Sequence, residues 1–245
     1  MTTTTTGFRK KPAEWVAKQI TSKGGTCYLK NVRLAMVSVS KPKVFDQDSV
    51  SYGVHCLIDE KEAAAIAPKV FETIKQVIAL SDLSKDQKKK AWETATNAEG
   101  APAAFFKPGL AFRMKGEDGE KTGDVYDGYE DARVVALKSN AEMKADGTYA
   151  PKVEFKLVDH LGRPIPRDQI DDLIYSGCYA DVKMYLKAYA AKGSNLPGVA
   201  KYLSAIMRLG DGDRLGASSG FDYVRDDVED EYLDGSSESA GAVDF

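Results

Sequence analysis

Between Gly177 and Ala190 the chain alternates two kinds of side chain. The even positions, Cys178, Ala180, Val182, Met184, Leu186 and Ala188, are apolar. The odd positions, Tyr179, Asp181, Lys183, Tyr185, Lys187 and Tyr189, are aromatic or charged. A strand sends successive side chains to opposite faces, so one face belongs to a core. The other is a ladder of tyrosine and lysine, interrupted once by aspartate. Tyrosine rings stack on unpaired nucleobases, at about 1–3 kcal/mol per base. Lysines neutralise phosphates and release their counterions. Interleaving the two suits a polymer in which bases and phosphates alternate. The same pattern also describes an ordinary solvated strand, because tyrosine favours cross-strand pairing.

Further residues of these types lie elsewhere. Tyr28, Lys30 and Arg33 sit in an apolar, β-branched run, and Phe105, Phe106 and Lys107 cluster in a loop. Phe112, Arg113 and Lys115 follow. Phe105 and Phe112 also read as core aromatics with solubilising charges nearby.

Net charge divides along the chain. Asp222–Phe245 holds nine acidic residues and one basic residue, Arg225, a charge of −8. Met1–Phe221 holds 33 basic and 28 acidic residues, a charge of +5. An acidic, Gly/Ser/Ala-rich segment buries too little apolar surface to offset its ordering entropy, so 217–245 reads as a disordered tail. Its last residues, Asp244 and Phe245, suit docking, with the ring in a partner's pocket and the carboxylates of Asp230, Glu231 and Asp244 against a basic rim. The tail also suits competition for the protein's own basic groove.

Other chemistries find little support. Cys27, Cys56 and Cys178 are too few and too widely spaced for a disulfide framework or a zinc site, and they read as buried thiols in a reducing cytoplasm. His55 and His160 have no partner at metal-ligand spacing. No P-loop is present, and the acidic pairs fall in loops or tail, so no catalytic residues, metal or cofactor are expected. The Thr-rich start is not a secretory signal, and no apolar run approaches the roughly 20 residues that span a bilayer.

These segments need elements to hold them. Met1–Lys23 reads as a flexible arm with a short helix near Glu14–Gln19. Strands are expected at Thr26–Ser40 and at Val50–Ile58, where Val50, Tyr52, Val54, Cys56 and Ile58 share one face. Residues 61–94 shift to helical spacing, with Asp59 as N-cap. Strands resume at Leu110–Lys115, Asp131–Ser139, Lys152–Asp159 and Ile174–Tyr189. Val199–Arg208 is either helix or strand. Irregularly spaced strands with one helical insertion fit a small barrel better than a βαβ wind.

Three stretches carry a family resemblance. They are Tyr28–Ile58, with Val32-Arg33-Leu34, Lys41-Pro42-Lys43 and Tyr52-Gly53-Val54; Asp127–Ile165, ending Gly162-Arg163-Pro164-Ile165; and Ile174–Gly216, with Tyr175-Ser176-Gly177-Cys178-Tyr179 and Asp211-Gly212-Asp213-Arg214-Leu215-Gly216. The chain resembles phage OB-fold single-stranded-DNA-binding proteins. The resemblance implies a mainly β, OB-type five-stranded barrel over 24–216, with a helical insertion at about 61–94. It also implies a DNA groove over one sheet face, no sequence preference, no cofactor and no catalysis. Lys183 and Lys187 depart from the more neutral residues expected there, which implies a more salt-sensitive groove.

The resulting expectation is a sequence-independent single-stranded-DNA-binding protein of phage replication or recombination, acting in the host cytoplasm. DNA contacts are expected from Tyr179, Lys183, Tyr185, Lys187, Tyr189, Tyr28, Lys30, Arg33, Phe112 and Arg113. Replication or recombination proteins are expected at the tail, membranes are not, and a homodimer is compatible with the pattern. The rival reading is a virion or scaffolding protein without DNA affinity.

Overall fold

The computed structural model describes residues 10–46, 49–97, 104–115, 121–190 and 196–216. The strands are β1 (Glu14–Thr21), β2 (Gly24–Asp46), β3 (Ser49–Asp59), β4 (Lys107–Pro108), β5 (Arg113–Lys115), β6 (Lys121–Val125), β7 (Ala132–Met143), β8 (Tyr149–Pro151), β9 (Lys156–Val158), β10 (Tyr179–Tyr189) and β11 (Gly198–Gly210). Helices α1 (Glu60–Leu80) and α2 (Lys85–Thr96) lie between β3 and β4, and α3 (Ile170–Leu173) precedes β10.

Five strands close a barrel. β2 pairs with β3, β3 with β7, β10 with β11 and β10 with β2, all antiparallel. β11 meets β7 in parallel at Tyr202↔Lys138 and completes the circuit β2-β3-β7-β11-β10. Numbered among themselves, the five strands run 1-2-3-5-4-1, the OB-type arrangement, and closure leaves none of them an open edge. The expected mainly β barrel with helices between its strands is therefore what the chain forms.

β2 serves both halves of the barrel, its first part pairing with β10 and its second with β3. A strand of 23 residues can do this only if it bends, and register shifts on both sides mark the bends. Asn31 takes φ 57° at one of them. Its amide donates to Asp181 Oδ1 at 2.9 Å. The aspartate that interrupts the tyrosine–lysine ladder thus ties β10 to the bend in β2.

The even face of β10 is buried as its parity requires. Ala180, Val182, Met184 and Leu186 join Leu29, Leu34, Ile58, Leu137, Leu203 and Ile206 inside the barrel. Helix α1 packs Ile66, Val70, Ile74, Val77 and Ile78 onto this core. Asp59 caps it, accepting from the amides of Lys61 and Glu62. Helix α2 begins with a capping box between Ser84 and Gln87. All three cysteines are buried free thiols, and burial pushes Cys27 up to about 12 and Cys178 up to about 11.

Several segments differ from expectation. Glu14–Thr21 is a strand, not a short helix in a flexible arm, because it pairs along Gly24–Lys30. Trp15, only 4% exposed, anchors it. Its indole N–H donates to Thr73 Oγ1 at 3.0 Å, and its ring meets Phe105 edge-on. The expected strand at Leu110–Lys115 is a 3-10 turn, Gly109–Ala111, followed by the short β5. Ile174–Cys178 is a turn that delivers the chain into β10, and Val199–Arg208 falls within β11. No helix among the described residues is long and apolar enough to cross a membrane.

Candidate nucleic-acid interface

The outer face of β3 carries Ser51, Gly53, His55 and Leu57, the positions between its core residues. Pairing places Ala35 beside His55 on β2, and Ala136 and Val134 beside His55 and Leu57 on β7. Lys107 on β4 pairs with Val134, and Lys138 pairs with Gly53. Four strands therefore contribute to one outer surface.

An aromatic cluster lies on this surface. His55 meets Phe112 edge-on at 5.0 Å, and Phe112 meets Tyr129 at 5.4 Å. Tyr126 lies 5.9 Å from Tyr129. Met36, Val125 and Leu215 pack against the same group. Tyr129 is buried, while Phe112 and Tyr126 keep partial exposure.

Lysines surround the cluster. Burial drives His55 down to about 3, and the positive charges of Lys43, Lys107 and Lys138 add to the shift. Burial also lowers the lysines at 43, 107 and 138, and Lys107 is lowered further by Lys138. Like charges held together in a partly desolvated recess repel one another, and an anion relieves that repulsion. Partly exposed rings beside a neutral imidazole and three lysines can offer stacking surfaces and anion contacts side by side. Behind them Lys201 donates to the Ala104 carbonyl at 3.1 Å and sits 5.5 Å from the Phe105 ring centre. Burial lowers its amine to about 7.

The residues singled out in the sequence divide into three groups. Phe112 belongs to this cluster. Arg113, next in sequence, donates to the Gly123 carbonyl and secures the β5–β6 hairpin.

Tyr28, Lys183, Tyr185, Lys187 and Tyr189 form a different surface, the outer side of β2 and β10. Lys183 Nζ stands 5.9 Å from the centre of the Tyr28 ring, its cross-strand partner. Tyr185 pairs with Thr26 on β2 and with Tyr202 on β11. Lys30 is at the edge of this surface, 3.5 Å from Glu14.

Arg33 and Tyr179 pair at the far end of the ladder and hold a loop. Arg33 donates to the carbonyls of Gly177 and Asp213, at 3.4 and 2.7 Å. The Tyr179 ring lies against Gly212, where an added Cβ would come within 2.9 Å of it. Asp230, Glu231, Asp244 and Phe245 lie outside the described residues.

Sequence reasoning did not single out Lys43, His55, Lys138, Tyr126, Tyr129 or Tyr202 as site residues, and it left Lys107 in a loop. The available signal was the parity of β3. Once Val54, Cys56 and Ile58 are inside, His55 must be outside.

The family model described as Enterobacter phage Enc34, ssDNA-binding protein, matches residues 26–233. Among solved structures, the single-stranded DNA-binding protein from bacteriophage Enc34 superposes with a TM-score of 0.53 at 15% identity, covering 89% of this chain and 99% of that one. The same phage protein in complex with ssDNA superposes with a TM-score of 0.50 at 15% identity, covering 82% of this chain and 98% of that one. Identities this low speak to fold alone. No curated protein matches the chain. The family match spans most of the sequence, and the chain belongs to the Enc34 ssDNA-binding protein family.

Proposed function

We propose that this protein binds single-stranded DNA without sequence preference, in the recess over β2, β3 and β7. The observation that carries the reading is the set of Lys43, Lys107 and Lys138 around His55, beside the partly exposed Phe112 and Tyr126. Lysines take the phosphates, and the rings take bases by stacking. Membership of an ssDNA-binding family supports it, as does the Enc34 relative solved with ssDNA. The role is to coat and protect a strand, with no catalytic step, during phage replication or recombination in the host cytoplasm.

The acidic segment 222–245 completes the proposal. Leu215 packs on the aromatic cluster, and the Gly216 amide donates to Asp127 Oδ2 at 3.3 Å. The chain therefore leaves the barrel beside the basic recess. Replication or recombination proteins with basic pockets are the partners expected for such a segment.

Fluorescence anisotropy with labelled oligo(dT) over a salt series tests the reading. It is run with the full chain and with a full-length variant whose acidic residues in 222–245 are changed to Asn and Gln. Tight, salt-dependent binding that strengthens in the variant is expected. No binding by either protein at low salt would overturn the reading.

A further inference from the structure

A second surface with the chemistry of a strand-binding platform lies on the other side of the barrel, over β10 and its neighbours. In the circuit β2-β3-β7-β11-β10, β10 adjoins neither β3 nor β7. The recess and the tyrosine–lysine ladder are therefore separate surfaces. They share β2, whose Tyr28 belongs to the ladder and whose Ala35 belongs to the recess, and on the opposite side they meet at the parallel pair Tyr202↔Lys138. Lys138 belongs to the recess, whereas Tyr202 is the cross-strand partner of Tyr185.

The tyrosines are held in place as platforms. Tyr185 O–H donates to the Lys23 carbonyl at 2.7 Å, and its ring covers Gly24, where an added Cβ would stand 2.7 Å from Cζ. Tyr189 lies over Gly198 in the same way, its hydroxyl 2.6 Å from where a Cβ would be. The two glycines clear the space that lets each ring lie along the strand backbone. A ring already fixed loses little conformational freedom when a base stacks on it. Burial raises the phenol of Tyr189, and its neighbour Tyr202 adds to the effect. Tyr202 thus stands beside Tyr185 across the strands and close enough to Tyr189 to influence its phenol.

The surrounding charges favour an anion. The acidic residues of this face are already engaged, Asp181 with the Asn31 amide and Glu14 with Lys30. Lys183 and Lys187 are left on the ladder, and Lys187 is exposed.

We propose that a bound strand runs out of the recess past Lys138 and continues over Tyr202 and Tyr185 towards Lys183 and Lys187. One protomer then engages DNA on two sides of its barrel. This inference rests on the proposed binding in the recess and extends it from one surface to two.

The test compares the full chain with its Lys183→Glu/Lys187→Glu variant, using oligo(dT) of about 6 and about 20 nucleotides, one within and one beyond the roughly 4–16 covered by one OB fold. Short-oligonucleotide affinity reports the recess and confirms that the variant is folded. The expected result is short-oligonucleotide affinity within twofold of wild type, with long-oligonucleotide affinity reduced at least tenfold. Photocrosslinking of a long oligonucleotide carrying iodouracil is expected to label Tyr202 or Tyr185. Unchanged long-oligonucleotide affinity, or crosslinks confined to the recess, would overturn the second platform and leave the recess standing. Failure of the wild-type protein to bind either oligonucleotide would overturn both.

Discussion

His55 Nδ1 and the Tyr129 hydroxyl lie 2.8 Å apart at the base of the recess, and burial keeps both groups uncharged. Burial raises the Tyr129 phenol and, with three lysines nearby, lowers His55 to about 3. At neutral pH the imidazole is uncharged and shares a hydrogen bond with the Tyr129 hydroxyl. The recess thus presents a neutral ring among cations.

This arrangement gives a signed pH dependence. The unfolded chain binds the His55 proton at about 6.5, and the folded chain does so only near 3. The associated stability is present above about pH 6.5 and is lost progressively as pH falls towards 3. Denaturant midpoints are expected to drop between about pH 6.5 and 5, and His55→Gln is expected to remove most of that slope. NMR titration of the His55 ring should show no inflection between about pH 5 and 8. An inflection near 6.5 would mean that the recess accommodates an imidazolium.

Trp15 should be among the costliest side chains to truncate. It joins β1 to α1 through Thr73 and to Phe105 through ring contact. Trp15→Ala is expected to lose about 3–5 kcal/mol in equilibrium denaturation. A loss below about 1 kcal/mol would restore the flexible-arm reading of this segment.

Gly177 is required by its backbone. Its φ is +119°, and a Cβ there would fall 2.0 Å from the Asp213 carbonyl oxygen. Its own carbonyl accepts from Arg33. Gly177→Ala combines strain with a clash against main chain and is expected to cost more than about 1 kcal/mol. Thermal melts of the variant test this.

The cap on α1 is a smaller local contribution. Asp59→Ala removes the acceptor for the Lys61 and Glu62 amides and should cost about 1 kcal/mol, with DNA affinity unchanged.

Local pattern carried much of this fold. Period-two alternation identified the core face of β10, and the helical spacing of Ile66, Val70, Ile74 and Val77 identified α1. Both signals lie within one element. The strand at Glu14–Thr21 did not show itself, because it is strand only through its partner Gly24–Lys30. The recess was hidden for a related reason. Lys43, His55, Lys107 and Lys138 stand on four strands spread over nearly a hundred residues, and only barrel closure brings them together. Arg33 and Tyr179 had suitable chemistry, but the sequence could not show that the 211–214 loop already engages them.

If the recess holds DNA, its lysines meet phosphates, and reversing their charge must weaken binding. The direct measurement is oligo(dT) affinity of wild type and Lys107→Glu/Lys138→Glu between about 50 and 200 mM salt, where each phosphate contact contributes about 0.7 to the slope of log K against log salt. The folded double variant is expected to bind at least tenfold more weakly at low salt, with its slope shallower by about 1.4. Wild-type affinity and an unchanged slope in that variant would contradict it.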